Sequence, residues 1–232
     1  TLLSMVDAEE RSVFTLEDPI EYRLPLIRQT QIKDEIGLSF ANGLRTLLRQ
    51  DPDVILVGET RDQITAELMI RAALTGHLVF STLHTNDAIS AVPRLKDLGI
   101  PSYLLSSSLI GLSAQRLARR LCPVCKGEES LSPDAWLALG GDPRDTDVTV
   151  YKAVGCQACS HKGYNGRISL AEIIRIDSDL RKQIDDLVPT SQLKRYLYEQ
   201  GAVLMRKDGL LKAEAGLTSI EEVGRVIQLE AH

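Results

Sequence analysis

Apolar positions in the first third of the chain come in short unbroken runs, with helically spaced stretches between them. Val13 to Leu16, Val54 to Val57 and Leu78 to Phe80 read as strands, and Ile27 to Ile32 as a further extended segment. Between them, Phe40, Leu44, Leu47 and Leu48 recur at helical spacing, predicting a helix from about Ser39 to Arg49 that Asp51-Pro52 stops. A second helix is expected from the N-cap Asp62 to Gly76, and residues 1–10 read as the end of another. Continuous apolar strands alternating with helices predict an α/β fold with a parallel sheet covered on both faces.

From Asp87 the pattern turns helical through Lys96, breaks at Gly99-Ile100-Pro101, and predicts a second helix from Ser102 to about Arg119. Ser132-Pro133 opens a short helix carrying Trp136, with Gly140-Gly141 at its end. Gly163 to Ile174 is a glycine-punctuated strand region. The remainder, with segments near 179–187, 191–200 and 203–215, is expected to form a small helical bundle, its last helix opened by a capping box of Thr218 and Glu221.

The 232 residues, 44% of them hydrophobic, are enough for a core and a division into a main domain and smaller units. A formal charge of -5 argues against a partner that binds through its phosphate backbone, so no nucleic-acid partner is expected. No apolar run approaches the ~20 residues that span a bilayer. The start TLLSMVDAEE is too short and acidic for a secretory leader, and the chain reads as cytoplasmic.

All four cysteines fall in two CxxC pairs, Cys122 with Cys125 and Cys156 with Cys159. Such turns present two thiolates to one metal, and two of them complete a tetrahedral, closed, structural zinc site. Two disulfides are the rival reading; the spacing and the reducing compartment favour metal. His161 is an alternative ligand.

The three strand ends close on Glu17-Asp18, on Gly58-Glu59 and on Thr82 to His84. In an open parallel sheet, ligands sit at the carboxyl ends of strands, so two acids and an imidazole are expected to share one crevice. Nucleotide hydrolysis requires such a set: one carboxylate for a magnesium shell, another to orient or deprotonate water, and a neutral donor near the γ-phosphate. Arg45 and Arg49, four apart on one helix, are placed to bracket a phosphate, and Arg61 has either that role or an ion pair.

TLEDPIEY (Thr15 to Tyr22), GLRTLLRQDPDVILVGETRD (Gly43 to Asp62) and LTGHLVFSTLHTND (Leu74 to Asp87) resemble the Asp box, Walker B and His box of the secretion ATPases. That family drives type II secretion and assembles type IV pili. The cysteine pairs and GYNGR (Gly163 to Arg167) are similar to its carboxy-terminal metal-binding part. The resemblance implies a partial RecA-like P-loop NTPase core over residues 1–120, a tetracysteine zinc subdomain over 121–165, and a strand with helical bundle over 166–232.

It implies Glu17 as the water-activating carboxylate with Asp18 beside it, Glu59 as the Walker B acid, and His84, with His77, as the His box. Arg45 and Arg49 would face phosphate, and Arg167 would reach a neighbouring subunit's nucleotide. ATP, magnesium and zinc are the implied cofactors. A homo-hexamer and inner-membrane secretion platform proteins are the implied partners, with the protein peripheral to the inner membrane. Type II secretion is favoured over pilus assembly, and the two CxxC pairs disfavour a pilus-retraction motor.

The sequence departs from the family in three places, at the phosphate loop, Thr60 and Ser169. No G-x-x-x-x-G-K-[ST] occurs, so the phosphate loop is expected upstream of Thr1, the chain is expected to be a carboxy-terminal piece, and by itself to hydrolyse ATP negligibly. Gly58 stands where many P-loop enzymes have aspartate, Thr60 where isoleucine is more usual, and Ser169 where glycine is common. The alternative for this piece is a non-catalytic, zinc-stabilised assembly module.

Overall fold

A computed structural model describes residues 2–141, 144 and 148–227. The described residues form two compact units, the first from those within 1–85, 90–110 and 176–193, the second from those within 86–89, 111–175 and 194–232. Thr1, where the expected N-terminal helix begins, lies outside the described residues; Leu2–Met5 forms only a single 3-10 turn.

In the first unit, β1 (Val13–Glu17), β2 (Arg28–Gln31), β3 (Val54–Val57) and β4 (Leu78–Ser81) form a parallel sheet in the order β2-β1-β3-β4. Two of the apolar runs occupy β1 and β3, the central strands, and the third forms the half-buried edge strand β4. Val13, Leu16, Val54, Ile55 and Val57 are each at most 1% exposed, as burial on both faces demands. Helix α1 (Phe40–Leu47) is capped by Ser39, whose side chain accepts from Asn42 N, and α2 (Gln63–Leu74) by Asp62, which accepts from Thr65 N. α3 (Ala91–Asp97) and α4 (Ser102–Ser108) follow; α6 (Ser178–Asp185) packs on α4 through buried Leu180 and Ile184.

The helix expected from Ser102 to Arg119 stops at Ser108. Residues 111–121 are instead β5 (Gly111–Leu121), antiparallel to β8 (Tyr164–Arg175), running from the pair Gly111 and Arg175 to the pair Leu121 and Tyr164. Leu, Ala, Gln and Arg are good helix formers, but ladder pairing and a buried inner face win here. Between these strands, β6 (Gly127–Leu131), α5 (Pro133–Ala138) and β7 (Val148–Lys152) form a hairpin insertion. It buries Trp136, Val148 and Val150 against Leu210.

The helical tail is present, and its last two helices pack on each other as well as on strands. α7 (Thr190–Glu199) precedes α8 (Met205–Glu214) and α9 (Ile220–Ile227), and these last two lie on β8 and β5, closing a core of Ala118, Leu170, Met205 and Val223. The last cap sits one residue later than expected: Ser219 Oγ accepts from Glu222 N, while Thr218 Oγ1 donates to Arg119 O.

Candidate functional site

The parallel register fixes which residues share an edge. Leu16 pairs with Val57 and Val57 with Ser81, so Glu17, Gly58 and Thr82 follow side by side at the carboxyl ends of β1, β3 and β4. The three exits are tied together: Gly58 N donates to Leu16 O (2.7 Å), Thr82 Oγ1 to Gly58 O (2.6 Å) and Thr60 N to Thr82 O (3.0 Å). A Cβ on Gly58 would lie 2.9 Å from Leu16 O and 3.3 Å from Glu17 Cα. These are backbone atoms that cannot swing aside, so this exit from β3 excludes the aspartate found in many P-loop enzymes.

Glu59 projects from this edge with only 13% of its side chain exposed. Its Oε2 lies 3.1 Å from His84 Nε2, and Arg61 Nε forms an ion pair with Oε1 without hydrogen-bond geometry. Oε1 is thus a buried carboxylate oxygen that is ion-paired with Arg61 and accepts no hydrogen bond. Glu17 Oε1 accepts from Thr15 Oγ1 and from Gln29 Nε2 (2.9 Å); Gln29 also bonds Tyr22 O and Leu24 N, buckling the loop after β1. Asp18 is exposed beside it.

Arg45 lies in the last turn of α1 with its Nη1 on Asn42 Oδ1 at 3.0 Å. Arg49 is not on the helix as expected: α1 ends at Leu47, and Arg49 N bonds Thr46 O in the turn beyond. His77 is a further correction. It precedes β4 at the amino end, with Nδ1 2.9 Å from Ala72 O and 3.2 Å from Thr75 Oγ1. His84 lies beyond the carboxyl end of β4, so the two histidines stand at opposite ends of that strand. Arg167 lies in β8 of the second unit, opposite Arg119.

Sequence reasoning gave no role to Gln29 or Thr60. Thr60 is 3% exposed and bonds Ser81 Oγ at 2.7 Å, fastening the exit of β3 to β4. The signal available was weak: one threonine in an apolar neighbourhood, and one glutamine on an edge strand.

In the second unit the four cysteine sulfurs lie within 4.8 Å of one another, with Cys125 and Cys159 Sγ 3.8 Å apart and Cys156 and Cys159 Sγ 3.9 Å apart. A tetrahedron with ~2.3 Å metal–sulfur bonds has edges of about 3.8 Å, whereas a disulfide needs about 2.05 Å. The residues therefore fit a metal ion, and His161 is not part of the cluster. Amides aim at the sulfurs: Gly155 N at Cys125 Sγ (3.3 Å), and Cys156 N and Gly163 N at Cys159 Sγ (3.2 Å each). The Cys156 amide, opposed by burial and joined by the Gly163 amide, lowers the Cys159 thiol to about 6; burial pushes Cys125 up to about 12. Gly155 has φ 107°, and its Cβ would lie 2.7 Å from His161 O, so the knuckle needs glycine there.

Residues 1–225 match the sequence model of the family described as "Type II/IV secretion system protein". The chain is 45% identical over 224 residues to "Type II secretion system protein E" of Aeromonas hydrophila, covering 97% of this chain and 44% of that protein. It is 42% identical over 224 residues to "Type IV pilus assembly ATPase PilB" of Thermus thermophilus, covering 96% and 25%. It thus spans less than half the length of these relatives. Among solved structures, the pilus retraction motor PilT with bound ADP superposes with TM-score 0.61 at 29% identity, covering 96% of this chain and 52% of that one. The Legionella pneumophila ATPase DotB superposes with TM-score 0.64 at 23% identity, covering 95% and 52%. Over nearly its whole length, then, the chain belongs to the type II/IV secretion system protein family.

Proposed function

We propose that the carboxyl edge of the β2-β1-β3-β4 sheet is the hydrolytic half of an ATP-driven secretion motor, and that the whole protein powers type II secretion. The single observation that carries this reading is the half-completed Glu59: a buried carboxylate with one oxygen against His84 and the other without a hydrogen bond. A buried carboxylate oxygen that is ion-paired but accepts no hydrogen bond suits a magnesium ion. Magnesium, when bound there, supplies charge neutralisation at the phosphate oxygens.

The chain's own residues divide the remaining work. Glu59, at the end of β3, would hold the magnesium ion. Glu17, fixed by Gln29 and Thr15, accepts the proton of the attacking water, with Asp18 beside it. His84 reads the state of Glu59 through their contact. Arg61, 65% exposed, and Arg45 and Arg49 at the end of α1 supply positive charge toward a triphosphate. Arg167 acts on a neighbouring subunit's nucleotide in a homo-hexamer, and His77 serves packing at the amino edge rather than the pocket. The four cysteines hold zinc, as the all-thiolate set favours. Residues 1–120, 121–165 and 166–232 keep the roles of ATPase core, zinc subdomain and carboxy-terminal packing. No helix among the described residues is long and apolar enough to cross a membrane, in keeping with a cytoplasmic protein held at the inner membrane by platform proteins.

Pilus assembly is the second reading, supported by the 42% identity to PilB. One experiment tests the shared chemistry. The present chain is expected to hydrolyse ATP negligibly, because it has no G-x-x-x-x-G-K-[ST] cradle for the β-phosphate. Extended upstream to include that loop, it is expected to turn over ATP, and Glu59→Gln should cost at least about 100-fold in kcat. Turnover that survives Glu59→Gln sinks the assignment.

A further inference from the structure

Glu17 receives both of its side-chain hydrogen bonds on one oxygen. Thr15 Oγ1 and Gln29 Nε2 (2.9 Å) donate to Oε1, and among the described residues Oε2 accepts none. Strand register produces this arrangement. β1 and β2 run parallel with Thr15 opposite Gln29 and Glu17 opposite Gln31, and residues two apart on a strand project from the same face. Gln29 therefore lies on the face that carries Thr15 and Glu17, and a one-residue slip of β2 would turn it away.

The rest of the Gln29 amide is spent on the main chain of the loop between the two strands. Nε2 also donates to Tyr22 O (2.9 Å), and Oε1 accepts Leu24 N (2.8 Å). All of these residues belong to the first unit. The side chains of residues 21–23 are exposed, Tyr22 at 79%, so packing does not fix that stretch and the two main-chain bonds do. A glutamine on an edge strand that served only the sheet would need none of the three bonds. Here one side chain joins the Glu17 carboxylate to the loop that carries Asp18.

We infer that Gln29 is a positioning residue for hydrolysis: by binding Glu17 Oε1 together with the main chain of Tyr22 and Leu24, it leaves Oε2 to the attacking water and fixes the 18–24 loop beside it. The effect on hydrolysis rests on the reading of Glu17 as acceptor of the water's proton, whereas the tie between Gln29 and the loop does not.

Two substitutions separate the bonds. Gln29→Ala removes all three, while Gln29→Glu keeps an acceptor for Leu24 N but has no N–H for Glu17 or Tyr22 O. In the upstream-extended protein, each is expected to lower kcat at least about tenfold with KM for ATP within about twofold, since small misplacements of a reacting group are costly. Glu17→Asp keeps a carboxylate but draws it back from Gln29 by one methylene. In that background either Gln29 substitution should cost less than about twofold, because the group through which Gln29 acts has already left it. An unchanged kcat, a change mainly in KM, or equal losses in the two backgrounds overturns the inference. In the present chain, hydrogen exchange at Leu24 N should accelerate at least about tenfold in Gln29→Ala and stay near the parent rate in Gln29→Glu, while β1 and β3 keep their protection. Unchanged exchange at Leu24 in Gln29→Ala, or acceleration spread evenly through the first unit, overturns the tie to the loop. If the unsubstituted extended protein hydrolyses no ATP, the functional reading fails, and the exchange at Leu24 alone decides whether Gln29 holds the loop.

Discussion

Glu222 shows what a single buried charge does in this chain. Its side chain is fully buried, yet it accepts Arg119 N (2.8 Å), Arg119 Nη2 (2.7 Å) and Arg225 Nη2 (2.6 Å), while Arg119 also stacks over the Tyr164 ring. Burial pushes the carboxyl up, but the Arg225 and Arg119 hydrogen bonds outweigh it and hold the group at about 2. Because the folded value lies below the ordinary one of about 4.5, the stabilisation is complete above that pH and fades as pH falls toward 2. Its size is on the order of 3 kcal/mol. Glu222→Gln should therefore lower stability at pH 7 by a large part of that amount, and the gap to the parent should narrow in urea titrations as pH falls from the ordinary carboxyl value toward 2. A gap that stays constant over this range would show that the ion pairs are not its source. The sequence did not reveal this residue: an acid one turn into a helix reads as a solvated cap residue, and only the fold brings Arg119 to it. Glu17, Glu59 and His84 were legible because each ends an apolar run, and a parallel sheet places such ends on one edge.

Elements were legible where local pattern and tertiary demand agree, as in β1, β3, α1 and α2. They were misread where the two conflict. In β5, Leu112, Ala114 and Ala118 alternate toward the core, but the stretch is made of helix-forming residues, and its partner strand lies more than forty residues away. The α5 hairpin is the opposite case. Ser132-Pro133 and Gly140-Gly141 marked its ends correctly, and the structure adds why glycine stands at 141. A Cβ there would sit 2.2 Å from Trp136 Nε1, while Gly141 N bonds Trp136 O at 3.0 Å. The indole is pinned from behind, 3% exposed, against Val148, Val150 and Leu210. Gly141→Ala should force the ring out, at a cost of about 1–3 kcal/mol for overpacking. As Trp136 is the single tryptophan, its emission should shift to the red, a direct readout of this hairpin. Unchanged emission would mean the backbone moves instead of the ring.

At the scale of the whole molecule, the two units depend on different forces. The first buries continuous strands between helices and contains none of the cysteines. In the second, the sulfurs close the stretches on either side of the hairpin insertion, and the knuckle is tied onward: Lys126 Nζ bonds Gly216 O (3.0 Å) and sits over the Tyr151 ring (4.5 Å). Metal binding to such a site is worth about 10–16 kcal/mol in small zinc domains, as much as the roughly 5–15 kcal/mol net stability of a typical whole domain. The order of residues 121–165 should then be conditional on metal, with the sheet of the first unit indifferent to it. Elemental analysis of protein purified under reducing conditions should find one zinc per chain. Chelation should raise hydrogen exchange across 121–165 and at the Gly216 turn between α8 and α9, while β1 and β3 remain protected. Loss of protection in both units together would mean that the first unit also depends on the metal; a metal-free chain with full protection over 121–165 would mean that the hairpin core alone suffices.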